Sequence, residues 1–327
     1  MKQEILFDFN TLVDLSEYGI DIPLFNMRIT KTIERLQEKF FLVDSSLTPI
    51  RIDDLKFAHS QDYIQKVLNQ PDTVVEVGYE LIKDGKYERF DPLAQKRPFS
   101  EIIQKMLLHA GGTYQSSLSA LDLGFSYFLG GGMHHAMSFG PGGFCLLNDI
   151  VIAARKLQSQ YKVKKVLVVD LDCHKGDGTA EITASDDTIY TFSIHMKAGW
   201  PLDQKKRLEN GRLNPSFISS DLDVAIGPFD DYLNKLAAAL AKIDLAQFDL
   251  AIVVHGADVF IDDVLPSAGG IKLSEQEVLQ RDQMVFNWLK SKNIPQSWCL
   301  GGGYGASIYK IYCNFLLSIN YKYLKTR

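Results

Sequence analysis

The chain has 327 residues, of which 46% are hydrophobic and 23% charged, so it has the composition of a globular protein able to bury a sizeable core. A net charge of −5 excludes general attraction to nucleic acid or an anionic membrane, and short basic runs such as Lys205-Lys206-Arg207 read as solvated faces. Four widely spaced cysteines (Cys145, Cys173, Cys299, Cys313) form no CxxC pair, which argues against a zinc knuckle or a disulfide scaffold and suits a reducing compartment.

The opening MKQEILFDFN lacks the apolar run of a signal peptide, and no stretch of about 18 uninterrupted apolar residues follows, so a soluble cytoplasmic protein without a membrane span is expected. The first hundred residues are irregular and are expected to add loops and helices around one rim. From about residue 100 strand-like and helix-like stretches alternate. FSYFLGG (125–131) reads as a strand, and NDIVIAARKLQSQ, after a glycine-rich loop, as a helix near 148–160. KKVLVVDLD (164–172) is a nearly continuous apolar run, the pattern of a strand buried on both faces, with a helix near 178–185. TIYTFSIH (188–195) is the next strand, DDYLNKLAAALAKI (230–243) a helix begun by Asp, and DLAIVVHG (249–256) another strand. The helix 274–291 opens on Ser274-x-x-Glu277, a capping-box pattern, and QSWCLGGG (296–303) precedes a last helix near 306–320. This alternation predicts an α/β protein, one three-layer αβα domain over 1–327 with a mostly parallel central sheet.

In such folds ligands bind beyond the carboxyl ends of the strands, and the unusual polar residues of this chain gather there. His134 and His135 stand side by side in GGGMHHAMSFGPGGFCLLND (130–149). Neighbouring side chains on an extended segment point opposite ways, so both imidazoles can serve one centre only where the flanking glycines let the backbone bend. In VVDLDCHKGDG (168–178), Asp170, Asp172 and His174 are spaced at two and share one side of a strand end. Two carboxylates and an imidazole suit zinc or a similar divalent ion; a capping and salt-bridge cluster is the competing reading. Asp258 follows the strand ending in HG, and Tyr304 is flanked by glycines in GGGYG. Taken singly, these two read as a helix cap and a packing tyrosine. Their convergence with the other clusters at strand ends favours a site.

In this order GGMHHA, GFCLLND, VVDLDCHKGDGTAEI, TFSIH, HGADVF and GGGYG resemble the zinc-dependent histone deacetylase family of the arginase/deacetylase fold, over about residues 57–310. SSDLDVAIGPFDDYLNKL and QRDQMVFNWL are nearest in pattern to its class IV and small bacterial members. The resemblance implies a zinc-dependent amidohydrolase acting on carbon–nitrogen bonds other than peptide bonds. Its substrate would be an acylated amine, foremost N-acetyl- or longer N-acyl-lysine in a protein or peptide. It implies Asp172, His174 and Asp258 as ligands of one Zn2+, a donor set that iron(II) or cobalt(II) would also suit. It implies His135 as general acid and base, His134 as support for developing charge, and Asp170 and Asp177 as their carboxylate partners. Tyr304 matches the tyrosine that bonds the carbonyl oxygen, and Gly143 and Phe144 match the wall of a narrow acyl-lysine tunnel. Asp170, Asp172, His174, Ser193 and Ile194 match a monovalent-cation site, for which K+ is the expected ion.

Three features depart from the family pattern. Lys175 stands where many relatives carry His or Gln; Trp200-Pro201 lacks the usual Gly-Thr-Gly after it; and the acidic rim residue has only Asp84 and Asp91 as candidates. These leave open an acetylpolyamine or other small-molecule amide as substrate, or a fatty-acyl lysine. A two-metal ureohydrolase of the same fold fits the tandem histidines and Tyr304 poorly, and an inactive binding relative would have lost a ligand or the tyrosine. No direct nucleic-acid binding is expected, and His59, His109, His195 and His255 read as structural, with support of the site residues as the alternative for His195 and His255 near strand ends.

Overall fold

The apolar runs VLVVD and LAIVVH become adjacent, fully buried strands in the computed structural model, which describes residues 2–24, 26–37, 46–160 and 162–324. The chain begins with strand β1 (Lys2–Leu6), strand β2 (Tyr18–Ile20) and helix α1 (Met27–Gln37). Helices α2 (Gln61–Asn69) and α3 (Pro71–Gly78) precede the small hairpin of β3 (Ile82–Lys83) and β4 (Lys86–Tyr87). Strand β5 (Phe90–Gln95) then pairs antiparallel with β2. Helix α4 (Ser100–Leu123) leads into β6 (Gly124–Phe128), followed by α5 (Asp149–Ser159), β7 (Val166–Asp170), α6 (Asp177–Thr183) and β8 (Ile189–Met196). The remainder is β9 (Leu222–Ile226), α7 (Tyr232–Leu240), β10 (Leu250–His255), α8 (Glu275–Ser291), β11 (Gln296–Leu300) and α9 (Tyr309–Leu324).

Seven strands form one sheet in the order β1-β6-β11-β10-β7-β8-β9, and every neighbouring pair is parallel. Its two faces are covered by different helices, as alternation along the strands dictates. Ser126 and Ser297 turn to α4, where their hydroxyls meet Ser116 and Ser117. Phe125 and Trp298 turn the other way, onto Phe286 of α8 and Phe315 of α9, with the Trp298 and Phe315 rings stacked at 4.3 Å. The capping box at Ser274 and Glu277 forms.

Two edge strands depart from the sequence reading. Lys2–Leu6 is no part of a rim; it pairs with β6 from Lys2↔Gly124 to Leu6↔Phe128. At the opposite edge β9 is only partly buried, which removes the continuous apolar pattern that marks an inner strand. Between β8 and β9 the chain runs outward through residues 203–213, all of them exposed. Among the described residues no helix is long and apolar enough to cross a membrane. Because the sheet is parallel, β6, β7, β8, β10 and β11 deliver their carboxyl ends to the same edge, and the polar clusters meet there.

Candidate active site

Leaving β6, the backbone turns through Gly131 (φ 72°) and Gly132 (φ 76°). No side chain fits at position 132, since a Cβ there would lie 1.5 Å from the Leu300 carbonyl oxygen. Asp149, the first residue of α5, fixes the bend by accepting the N–H groups of Gly132 (2.9 Å) and Met133 (2.7 Å) and the Thr113 hydroxyl. The bend brings His134 and His135 to one cavity, with ring centroids 3.8 Å apart. Nδ1 of His134 lies 2.7 Å from Asp170 Oδ2, and Nδ1 of His135 lies 2.7 Å from Asp177 Oδ1. A ring that donates from Nδ1 to a carboxylate keeps Nε2 for other chemistry. Burial draws His134 down, but the charges of Asp170 and Asp172 outweigh it and raise the ring to about 9. Burial, aided by the His134 charge, lowers His135 to about 4. The two neighbours are thus pushed in opposite directions: the carboxylates outweigh burial at His134, whereas Asp177 does not outweigh burial and the His134 charge at His135.

Below them, Nδ1 of His174 is 3.1 Å from Asp172 Oδ1 and 3.0 Å from Asp258 Oδ2. Asp172 and His174 extend β7, whereas Asp258 arrives from the end of β10. The outer carboxylate oxygens are engaged: Asp172 Oδ2 accepts the Gly302 N–H at 2.6 Å, and Asp258 Oδ1 accepts the Cys173 N–H at 2.9 Å. This leaves one oxygen of each carboxylate and one imidazole nitrogen turned toward a common point, on side chains 1%, 0% and 4% exposed. Two carboxylates buried around one imidazole are costly without a cation, and their oxygen and nitrogen donors suit a divalent ion. The residues therefore fit a metal. Cys173, His174 and Asp258 also offer atoms within 4.8 Å of one another, as do His134, His135 and Asp172, but the Cys173 thiol is turned to the Ala268 carbonyl. Ser193, paired in register with Asp170, has a buried hydroxyl with no hydrogen-bond partner among the described residues.

Tyr304 follows β11 and has its backbone N–H bonded to Asp263 Oδ2 at 2.7 Å. Burial, and then the charge of Asp258, push its phenol well above the usual value, so the hydroxyl remains a donor. Its ring meets the edge of Phe144 at 6.1 Å. Phe144 is held by its N–H to the Gly78 carbonyl (2.9 Å), by Tyr79 at 6.0 Å, and by the Arg89 guanidinium 5.5 Å over its face. Trp200 sets its ring 4.5 Å from His135 and 5.6 Å from His174. Gly143, Phe144, Trp200, Leu265 and Tyr304 line the mouth, and a cavity of about 110 Å³ continues past His134 toward Leu15, Leu24, Arg28 and Met106.

The structure thus brings together His134, His135, Asp170, Asp172, His174, Asp177, Asp258, Gly143, Phe144 and Tyr304. Trp200 lines the mouth with Phe144 although the Gly-Thr-Gly after it is missing. Lys175 adds no free charge: its buried ammonium donates to the Ile218 carbonyl at 2.6 Å and pairs with Asp223 at 3.2 Å. Asp84 and Asp91 are exposed on the β3–β4 turn and on β5, away from the mouth, where Glu80, Arg89 and Asp203 stand instead. Nothing in the sequence around those three marks them. Asp149 and Asp263 were also missed, although each lies in or beside a motif that pointed to the site.

A family model described as the histone deacetylase domain matches residues 23–317. An uncharacterized protein of a Picosynechococcus species is 35% identical over 229 residues, covering 67% of this chain and 71% of that one. Histone deacetylase 2 of Arabidopsis thaliana is 27% identical over 309 residues, 93% of this chain and 75% of its own. Among solved structures, an acetylpolyamine aminohydrolase from Burkholderia pseudomallei shares the fold with a TM-score of 0.71 at 16% identity, over 98% of this chain and 99% of that one.

Proposed function

We propose that this chain, which belongs to the histone deacetylase family, acts as one catalytic domain that hydrolyses the amide of an acylated amine where His134, His135 and Tyr304 meet Asp172, His174 and Asp258. The preferred substrate is N-acetyl- or longer N-acyl-lysine in a peptide or protein. Asp172, His174 and Asp258 would hold one divalent ion, Zn2+ by family, which when bound polarises the carbonyl and lowers the pKa of water.

The chain's own residues supply the rest. His135, the neutral member of the pair, takes a proton from the attacking water and returns it to the amine nitrogen as the carbon–nitrogen bond breaks. The water oxygen remains on the carboxylic acid product. Asp177 holds the ring in the tautomer that permits this. His134, charged between Asp170 and Asp172, offsets negative charge as it develops. The Tyr304 hydroxyl donates to the carbonyl oxygen in the same step. Gly143, Phe144 and Trp200 admit a thin aliphatic stem and exclude water around it, and the cavity beyond receives the acyl group. A K+ ion beside Ser193 would stiffen the loop that carries Asp172 and His174.

The observation that carries this reading is the pair of imidazole–carboxylate contacts, each 2.7 Å, beside a three-donor cluster. Asp203 at the mouth, where the Glu80 carboxylate is already paired with Arg89, favours a second reading in which the substrate is a small cationic acylated amine such as an acetylpolyamine. One experiment separates the two. Zinc-loaded protein is assayed on a lysine peptide bearing acetyl, butyryl, octanoyl or myristoyl groups and on acetylated polyamines, with Tyr304→Phe alongside. Peptide turnover that falls about 10²–10³-fold in the variant supports the first reading. Turnover of polyamines alone supports the second, and no turnover of either class sinks both.

A further inference from the structure

Arg281 and Asp282 lie on α8, outside the cavity walls, and both are 0% exposed. Charged side chains are seldom buried so completely, and the chemistry above uses neither. Nη1 of Arg281 donates to the carbonyls of Leu171 (3.0 Å) and Gly256 (2.8 Å), and Nε donates to Asp282 Oδ1 at 2.8 Å. The other Asp282 oxygen lies 2.9 Å from His255 Nε2, whose Nδ1 is 2.9 Å from the Tyr127 hydroxyl. Burial lowers His255, so the ring is neutral, donating to Asp282 and accepting from Tyr127.

The positions of the two carbonyls give the arrangement its meaning. Leu171 separates Asp170 from Asp172, and Gly256 stands two residues before Asp258. The β7–β10 ladder runs out here, with Val254↔Asp170 as its last registered pair and the Leu171 N–H to Val254 carbonyl bond (3.0 Å) closing it. Past that point neither strand can satisfy the other. A buried carbonyl without a partner is costly, and a loop freed to find one would shift. Arg281 satisfies both carbonyls with one nitrogen, and Asp282, His255 and Tyr127 fix the guanidinium in turn.

We infer that Arg281 is a positioning residue for the metal centre: it replaces the missing ladder and sets the separation of the loops bearing Asp172 and Asp258. The inference rests on reading Asp172, His174 and Asp258 as metal ligands. Lysine would not substitute, because a flexible point charge lacks the planar fork that reaches two carbonyls and a carboxylate together.

The test measures the Zn2+ dissociation constant by competition with a chromophoric chelator, alongside apo-protein melting and kcat and KM at saturating zinc. Arg281→Lys should bind Zn2+ at least about tenfold more weakly, with a lower metal-saturated kcat and an almost unchanged KM, while the apo-protein still folds. Because one unpaired buried charge can unfold a chain, Arg281→Met with Asp282→Met removes both charges together and should show the same loss of zinc affinity. Parental zinc affinity and kcat in a folded variant would overturn the inference. So would failure of both variants to fold, which would make the pair a plain element of the core. Absence of zinc binding by the parent protein would instead remove the metal-site reading beneath it.

Discussion

The Oδ2 atom of Asp263 accepts the backbone N–H of Tyr304 at 2.7 Å, while its Oδ1 accepts that of Leu265 at 2.8 Å. One carboxylate therefore sets both the phenol and a wall of the mouth. Asp263→Ala removes both acceptors and should lower kcat about 10²-fold, the loss expected when a reacting group moves by an ångström. Asp263→Asn keeps one good acceptor and should lose about tenfold. Steady-state kinetics on an acyl-lysine peptide decide the matter, and an unaltered kcat in the alanine variant would mean that the glycines around Tyr304 suffice.

Acid should loosen the tandem-histidine loop through two other histidines. Nε2 of His59 accepts the Asn148 N–H (3.0 Å) and Nδ1 of His109 accepts the Gly131 N–H (3.1 Å), so each ring must stay neutral. Burial lowers both from 6.5 to about 4. Between those values the unfolded chain binds more protons than the folded one. The contribution of these two rings is therefore complete above about pH 6.5 and declines as pH falls toward 4, with a limiting slope of about 1.4 kcal/mol per pH unit for each ring. Urea melts across this range should show the decline, and His59→Gln should flatten it by the share of one proton. A slope unchanged in that variant would assign the acid sensitivity elsewhere.

Gly143 has no room for a side chain. Its φ is +53°, and a Cβ would lie 2.3 Å from the Trp200 ring and 2.5 Å from His135 Cδ2. Gly143→Ala should lower kcat/KM about 10²-fold through displacement of His135, with zinc affinity retained. Loss of zinc affinity in that variant would show a wider disturbance than the local contact implies.

Metal removal should cost stability as well as activity. Asp172 and Asp258 are 1% and 0% exposed; His174 bridges their inner oxygens, and Nε2 of His134 lies 3.7 Å from Asp172 Oδ1. Chelation should lower the melting temperature, and zinc returned at a hundredfold excess over its Kd should restore about 2.7 kcal/mol. Asp258→Asn should blunt the response. A melting temperature indifferent to zinc would count against the proposed ligands.

Much of the site was legible because its geometry follows from short-range rules. Asp170, Asp172 and His174 share a side because a strand repeats every two residues, and the glycines before His134 announce a bend. Residues placed by long-range packing left no such mark. Arg281 and Asp282 look in sequence like the solvated face of an amphipathic helix, yet α8 buries them against two strand ends. Lys2–Leu6 is too short and too polar at its start to read as a strand until β6 supplies a partner. Glu80, Arg89 and Asp203 reach the mouth through the β3–β4 region and the connection after Trp200, whose paths no local pattern fixes.

The exposed run 203–213 lies between the two halves of this chemistry. Upstream of it are Asp172, His174 and the tandem histidines; downstream are Asp258, Arg281 and Tyr304. A chain severed within that run would give two fragments, each with an incomplete donor set and neither able to turn over substrate alone. Turnover would then report their reunion, and fusing each fragment to one of two interacting proteins would make the break a split reporter of that encounter.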